Sequence, residues 1–274
     1  MSRLTLRQPV LVIRGGERTS RFDEVAGEEP LEIRFAGRPL AVTMRTPGDD
    51  FDLVAGFCWS EGIITDADAS FRMRYGCSCA LEEDVDPYNV VDVLTEDDHF
   101  VLPRRSVLVS SACGVCGTPS IHDVRRSGNF AVADDPTRFS SRVLMGFPAR
   151  LREAQVLFAR TGGVHAAGLF GADGALLAVR EDVGRHNAVD KIVGWAVRER
   201  RLPLSGTALM VSGRASYELV QKAYLAGIPL LVAVSAPSSA AVRLAHDVGM
   251  SLVGFLRDGG MNVYAGAQRI VEDR

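Results

Sequence analysis

"TALMVSGRASYELVQKAYLAGIPLLVAVS", residues 207–235, holds the fold in miniature. An apolar run is followed by a polar, Gly-bearing turn, then by a helix-forming stretch ending at Gly227, then by a second apolar run. "LLVAV" has no polar residue on either side of the alternation, as in a strand covered on both faces. Strand, helix and strand in this order predict a right-handed crossover between parallel strands.

The pattern continues outward. Downstream come a helix, "SSAAVRLAHDVG" (238–249), and a strand, "SLVGFL" (251–256). Upstream lies a helix, "GRHNAVDKIVGWAVRERR" (184–201), with Ala188, Ile192, Trp195 and Ala196 on one face. Before it, "VHAAGLF" and "ALLAVRE" read as strands joined by the hairpin signal "GADG". "PARLREAQVLFARTGG" (148–163) opens on Pro, closes on two glycines and predicts one continuous helix. Residues 148–274 are therefore expected to form a three-layer α/β domain.

Residues 1–147 have a different texture and predict a smaller, strand-rich α+β domain. "VLVIR" (10–14), "LEIRF" (31–35), "LAVTMR" (40–45), "NVVDVL" (89–94) and "SVLVS" (106–110) are strand candidates. "DDFDLVAGFCWSEGII" (49–64) reads as a helix with Asp49 or Asp50 as N-cap, Leu53, Val54, Phe57 and Cys58 on one face, and Gly62 at its end. Cys58 on that face reads as a buried apolar filler. "DVRRSGNFAVADDPTRFSS" (123–141) has the composition of a mobile connector.

Bulk properties narrow the function class. A net charge of −3 supplies no global field for nucleic acid or anionic lipid. No apolar stretch approaches the ~18 residues of a membrane span, and the run Pro9–Ile13 is too short for a signal-peptide core. A cytoplasmic protein is expected. Five cysteines in 274 residues argue against a secreted disulfide scaffold, so the thiols should be reduced.

In open α/β sheets ligands collect beyond the carboxyl ends of strands. Three loops are expected there: "REDVGRHN" (180–187) with Asp182, Arg185, His186 and Asn187; "VSGRASYE" (211–218) with Ser212, Gly213 and Arg214; and "GFLRDGGMN" (254–262) with Arg257, Asp258 and two glycines. Their chemistry suits a nucleotide: arginines and backbone N–H groups for anions, a carboxylate for a base edge. None contains a phosphate-loop or dinucleotide fingerprint. "VHAAGLF" is similar to the H-x-E signature of zinc nucleotide deaminases, but Ala167 replaces the proton-shuttling Glu and no Pro-Cys-x-x-Cys follows. A deaminase-like fold without zinc is the expectation, with His165 a core or binding histidine.

"SACGVCGTPS" (111–120) carries Cys113 and Cys116 among small residues. Three chemistries stand open. Cys77, Cys79, Cys113 and Cys116 together could hold a structural zinc, although the spacing is not that of two knuckles. A dithiol redox pair is a second reading, weakened by Gly114, Gly117 and Pro119, which disfavour the helix such pairs open. A persulfide carrier is the third: an accessible thiolate near Arg104, Arg105, His122, Arg125 and Arg126.

"SSACGVCG" (110–117) resembles the CGxCG-type signature of the FdhD family of sulfur carriers. Six further segments resemble that family in order: "PGDDFDLVAGFCWSEGII", "FARTGGVHAAGLF", "REDVGRHNAVDKIVGWA", "VSGRASYELVQKA", "GIPLLVAVSAPSSAAVRLA" and "LVGFLRDGGMNVYAG". The resemblance implies a sulfurtransferase. It would take sulfane sulfur from a cysteine desulfurase as a Cys113 persulfide, with Cys116 as partner thiol. It would deliver that sulfur to the molybdenum or tungsten bis-guanine-dinucleotide cofactor, bound as substrate, for formate dehydrogenase. It further implies a cofactor-binding segment at Phe255, Leu256, Arg257, Asp258, Gly259 and Gly260, a deaminase-like C-terminal fold, and a homodimer. Asp258 or Asp182 is the expected acceptor for the guanine N–H groups. No resident metal is expected, and Cys77 and Cys79 have no implied role. The alternatives are a structural-zinc protein and a non-catalytic assembly chaperone for formate dehydrogenase.

Overall fold

The computed structural model describes residues 4–76, 85–95, 100–101, 107–108 (backbone only) and 128–272 except 258. A hairpin of β1 (Thr5–Arg14) and β2 (Glu17–Ala26) comes first. β3 (Glu29–Phe35), β4 (Arg38–Arg45), β5 (Arg72–Tyr75), β6 (Val90–Leu94) and β7 (Val107–Leu108) form a mixed sheet in the order β5-β6-β3-β4-β7. Between β4 and β5 runs α1 (Asp50–Ser60). β2 escapes sequence reading because "ERTSRFDEVA" has almost no apolar alternation.

The second half begins with β8 (Phe139–Ser140), α2 (Ser141–Met145), α3 (Phe147–Ala154) and α4 (Val156–Thr161). Then come β9 (His165–Gly171), β10 (Leu176–Asp182), α5 (Arg185–Arg198), β11 (Thr207–Val211), α6 (Tyr217–Leu225), β12 (Leu230–Ala233), α7 (Ser239–Asp247), β13 (Ser251–Arg257), β14 (Gly260–Ala265) and β15 (Ile270–Val271). The large sheet has the order β10-β9-β11-β12-β13-β14. β11, β12 and β13 are parallel, as their alternating sequence predicts, while β9 runs antiparallel to both neighbours. β14 lies beyond the strands that the sequence alternation marks; it pairs antiparallel with β13, with Arg257 opposite Gly260.

Three layers are present. Leu169, Leu209, Leu231 and Leu252 face the apolar sides of α5, α6 and α7, while Phe170, Met210, Val232 and Val253 pack on Phe139, Leu144, Phe147 and Leu151. Phe147 stacks on Phe170 with ring centroids 4.0 Å apart. The first of these clusters continues through α1 to Leu31, Ile33 and Val91 of the smaller sheet, so one core crosses the 147/148 division.

α1 departs from the amphipathic expectation. It is buried along nearly its whole length, not on one stripe. It lies between the smaller sheet and α5, and its polar residues are paired. Arg45 holds Asp50 through both oxygens at 3.1 Å, Arg180 and Arg198 both hold Asp52, and the Ser60 hydroxyl donates to Asp190 at 2.9 Å. Asp49 occupies the N-cap position but its side chain makes no capping bond. Cys58 is fully buried, as expected, and burial pushes its thiol pKa well up.

Two further expectations are corrected. The single helix over 148–163 is broken at Gln155 (φ −79°, ψ 81°) into α3 and α4. The Glu181 carboxylate accepts from the N–H groups of Leu157 and Phe158 in the first turn of α4, at 2.8 Å each, and so stabilises the restart. The connector expectation fails for 128–141. Val132 and Phe139 are buried, and Arg269 donates to the carbonyls of Val132, Ala133, Asp135 and Gly249. Residues 123–127 lie outside the described residues. Among the described residues no helix is long and apolar enough to cross a membrane.

Candidate functional site

The three loops singled out in the sequence meet at one edge of the large sheet. The Ser212 N–H donates to the Ala166 carbonyl and its hydroxyl accepts from the Ala166 N–H; Ser235 N–H donates to Gly213, and Phe255 N–H to Ser235. These bonds place the ends of β10, β11, β12 and β13 side by side, with the start of β9 among them.

The first loop is built around Asp182, which is fully buried. One carboxylate oxygen accepts from Gly184 N–H (2.8 Å) and the Asn187 amide (3.0 Å), the other from Thr46 N–H (3.1 Å) and the Lys191 ammonium (2.9 Å). Asn187 and Lys191 also donate to the carbonyls of Met44 and Thr46. With both oxygens occupied and no exposure, Asp182 fastens the β4–α1 turn to α5 and has no capacity left for a base edge. Lys191 was not singled out in the sequence; only its place one turn past Asn187 on the same helix hints at the role.

Beside it stand Arg185, His186 and His165. Arg185 is the first residue of α5; its Nε is buried with no hydrogen-bond partner among the described residues. Burial, then the Arg185 charge, lowers the pKa of His165, whose Nδ1 lies 3.5 Å from the Ser212 hydroxyl. His186 reaches Ser216 Oγ at 3.3 Å and Glu218 at 3.4 Å. Burial pushes its pKa down to about 4, helped by Arg185 and Lys222 and opposed by Glu218. Beneath it, Lys222 donates to both oxygens of Asp190 at 2.8 and 2.9 Å. Burial works against that ammonium, but the carboxylates of Asp190 and Glu218 hold its pKa above the ordinary value. The result is a positive locus at Arg185 flanked by two neutral imidazoles, suited to an anionic or polar ligand. Arg214 is exposed on the second loop.

The third loop is strained. Phe255 adopts φ 54°, a left-handed conformation costly for an aromatic residue, where the β13–β14 register slips between Gly254 and Arg257. The slip leaves Phe255 half-exposed and Arg257 exposed, with its guanidinium 5.8 Å from the Phe255 ring centroid. Leu256 points the other way and is buried in the core. Among the described residues nothing lies within 4 Å of where a Cβ on Gly259 (φ 75°) would stand, and Gly260 is exposed. Arg257 and these two glycines thus present a cation and bare backbone to solvent, which fits phosphate oxygens. Asp258 lies outside the described residues, as do Cys77, Cys79, Cys113 and Cys116.

On the α3–α4 side of the same edge opens a cleft of about 630 Å³, between α3, α4 and the ends of β9, β11 and β12. Leu151, Met210, Val183 and Val234 supply apolar walls, and Gln155, His165 and Ser212 the polar groups. Among the described residues no cluster of three or more His, Cys, Asp or Glu side chains is arranged to hold a metal.

Residues 26–271 match the FdhD/NarQ family. A sulfur carrier protein FdhD of Streptomyces avermitilis is 54% identical over 275 residues, spanning 98% of this chain and 97% of that protein. One of Mycobacterium tuberculosis is 51% identical over 259 residues, spanning 92% and 93%. The crystal structure of a protein assigned as a formate dehydrogenase accessory protein from Desulfotalea psychrophila superposes with a TM-score of 0.75 at 26% identity, covering 98% of this chain and 100% of that one.

Proposed function

This chain belongs to the FdhD/NarQ family, and we propose that it is a sulfurtransferase of the carrier type. Cys113 accepts sulfane sulfur from a cysteine desulfurase and delivers it to the molybdenum or tungsten bis-guanine-dinucleotide cofactor required by a formate dehydrogenase. The observation that carries the reading is the near-full-length identity to proteins named sulfur carriers, within which the Cys113–Cys116 pair falls.

In loading, the Cys113 thiolate attacks the terminal sulfur of the donor's persulfide, forming a new S–S bond and releasing the donor thiolate. In delivery that bond breaks. The sulfane sulfur takes two electrons from the acceptor metal and stays on it as a sulfido ligand, and Cys113 returns as a thiolate. Cys116, three residues further along the sequence, guards or resolves the persulfide. Arg257, Gly259 and Gly260 hold phosphate oxygens of the cofactor, with Phe255 beside them. Asp258 remains as the carboxylate for the guanine N–H groups, since Asp182 is saturated. The C-terminal unit is read as deaminase-like without zinc: Ala167, fully buried in β9, has no group to shuttle a proton. A cytoplasmic homodimer completes the reading.

The test is sulfur loading. Incubation with a cysteine desulfurase and 35S-cysteine should label the wild-type protein and leave Cys113→Ala unlabelled with an unchanged circular-dichroism spectrum. Label persisting on Cys113→Ala sinks the assignment. Stoichiometric zinc by elemental analysis favours a structural-zinc protein instead, and formate dehydrogenase maturation that survives loss of both cysteines favours a chaperone.

A further inference from the structure

Just past the C-terminal end of α5, Arg200 adopts φ 52°. Its N–H donates to the Val197 carbonyl, and that of Arg201 to the Ala196 carbonyl. This is the left-handed residue of a Schellman cap, the position that glycine fills at least cost. An arginine there is strained, and such strain concentrates where a side chain must be held for function. The Arg200 side chain lines a cleft of about 520 Å³ bounded by the start of α1, by β5 and by the end of α5. Arg72 of β5 and Arg198 of α5 line it too, and Phe51, Phe71 and Met73 give it apolar walls. Among the described residues no carboxylate lines this cleft. Arg198 is paired with Asp52 and stands 5.9 Å from the Phe51 ring centroid. Arg72 and Arg200 are exposed and have no ion-pair partner among the described residues. A chain of net charge −3 thus carries here a cationic cleft with aromatic walls.

We propose that this cleft docks a short acidic segment of a partner protein, one in which carboxylates flank an apolar or aromatic side chain. That side chain enters between Phe51, Phe71 and Met73, and Arg72 and Arg200 take the carboxylates with their planar forks. Asp49 and Glu199, both exposed and adjoining the same elements, repel a long phosphate backbone. A volume of about 520 Å³ suits a few buried side chains. Arg185 stands at the other end of α5, whose 14 residues span about 20 Å. A segment docked here therefore leaves the strand-end loops uncovered, and the inference does not rest on the proposed function.

An array of hexapeptides in every arrangement of Glu, Gln, Phe and Ala, probed with the full-length protein, tests it. Binders should carry Glu beside Phe, and exchange of Glu for Gln should abolish their binding. In fluorescence anisotropy the strongest binder should lose about tenfold or more in affinity on Arg72→Gln and on Arg200→Gln. Arg243→Gln, at an exposed arginine of α7, should change nothing. Arg200→Gly should lose binding and raise Tm by roughly 2 °C, because it relieves the strained cap. Hydrogen exchange on wild type, which needs no variant to fold, should show residues 69–73 and 197–201 protected by the peptide. The docking site is overturned by the absence of any Glu-dependent binder, by equal affinity in the Arg72 and Arg200 variants, or by protection elsewhere. It is equally overturned if tripolyphosphate or oligo-dT binds as tightly as the peptide.

Discussion

Gly56 of α1 and Gly194 of α5 meet where their helices cross, with no room for a side chain on either. A Cβ on Gly56 would stand 1.9 Å from the Asp190 carbonyl oxygen, and one on Gly194 1.7 Å from that of Asp52. Both obstacles are backbone, which cannot swing aside as a side-chain tip can. Gly56→Ala or Gly194→Ala should therefore cost about 3 kcal/mol or more by overpacking, a fall in Tm of roughly 6–12 °C. Differential scanning calorimetry measures it; a shift under about 2 °C would mean that the helices separate cheaply.

Lys222 and Asp190 form a buried ion pair whose carboxylate also accepts from Ser60. Lys222→Met leaves Asp190 buried without its cation, and should destabilise by about 3–5 kcal/mol. Adding Asp190→Asn removes the orphaned charge and should recover most of that loss. Denaturant unfolding of both single variants and the double variant gives the coupling directly; additive losses would contradict a direct pair.

His186 makes stability depend on acid. Its folded pKa lies near 4, against about 6.5 for an unfolded histidine. Between those values the unfolded chain binds a proton that the folded chain does not. The contribution is complete above pH 6.5 and is lost as pH falls toward 4, reaching about 3 kcal/mol. Asp190, raised by burial to about 6, titrates in the opposite sense over part of this window. The comparison is therefore with His186→Gln, which should lose less stability than wild type between pH 7 and pH 4. Parallel stability curves would show that the imidazole charges freely in place.

Arg269 bonds four backbone carbonyls with one planar guanidinium, three of them in residues 132–135. A lysine cannot span that set. Arg269→Lys should loosen the segment by roughly 2 kcal/mol, and limited trypsin digestion should cut at Arg138 or Arg142 about tenfold faster or more. Unchanged cleavage would show that the β8–β15 pairing alone holds it.

Much of the large sheet is legible in the sequence because its strands are apolar runs separated by capped helices. The loops at its edge could be located by the same alternation. α1 shows the limit. Its burial depends on Arg45, Arg180 and Arg198 arriving from elsewhere to neutralise Asp50 and Asp52, and periodicity within eleven residues carries no trace of those partners. Asp182 misled for the same reason. A carboxylate in a strand–helix turn reads equally well as a ligand contact or a structural anchor until Thr46 and Lys191 are placed around it. The break at Gln155 was invisible because nothing in "LREAQVLFAR" opposes a helix.

The placement of α1 has a mechanical consequence. Wedged between the smaller sheet and α5, and sealed by the Gly56–Gly194 contact, it couples the two halves as a keystone does the sides of an arch. A hinge opening between α1 and α5 would have to expose a helix buried along nearly its whole length and break both ion pairs of Asp52 at once. The two sheets on either side of α1 therefore keep a fixed relative attitude.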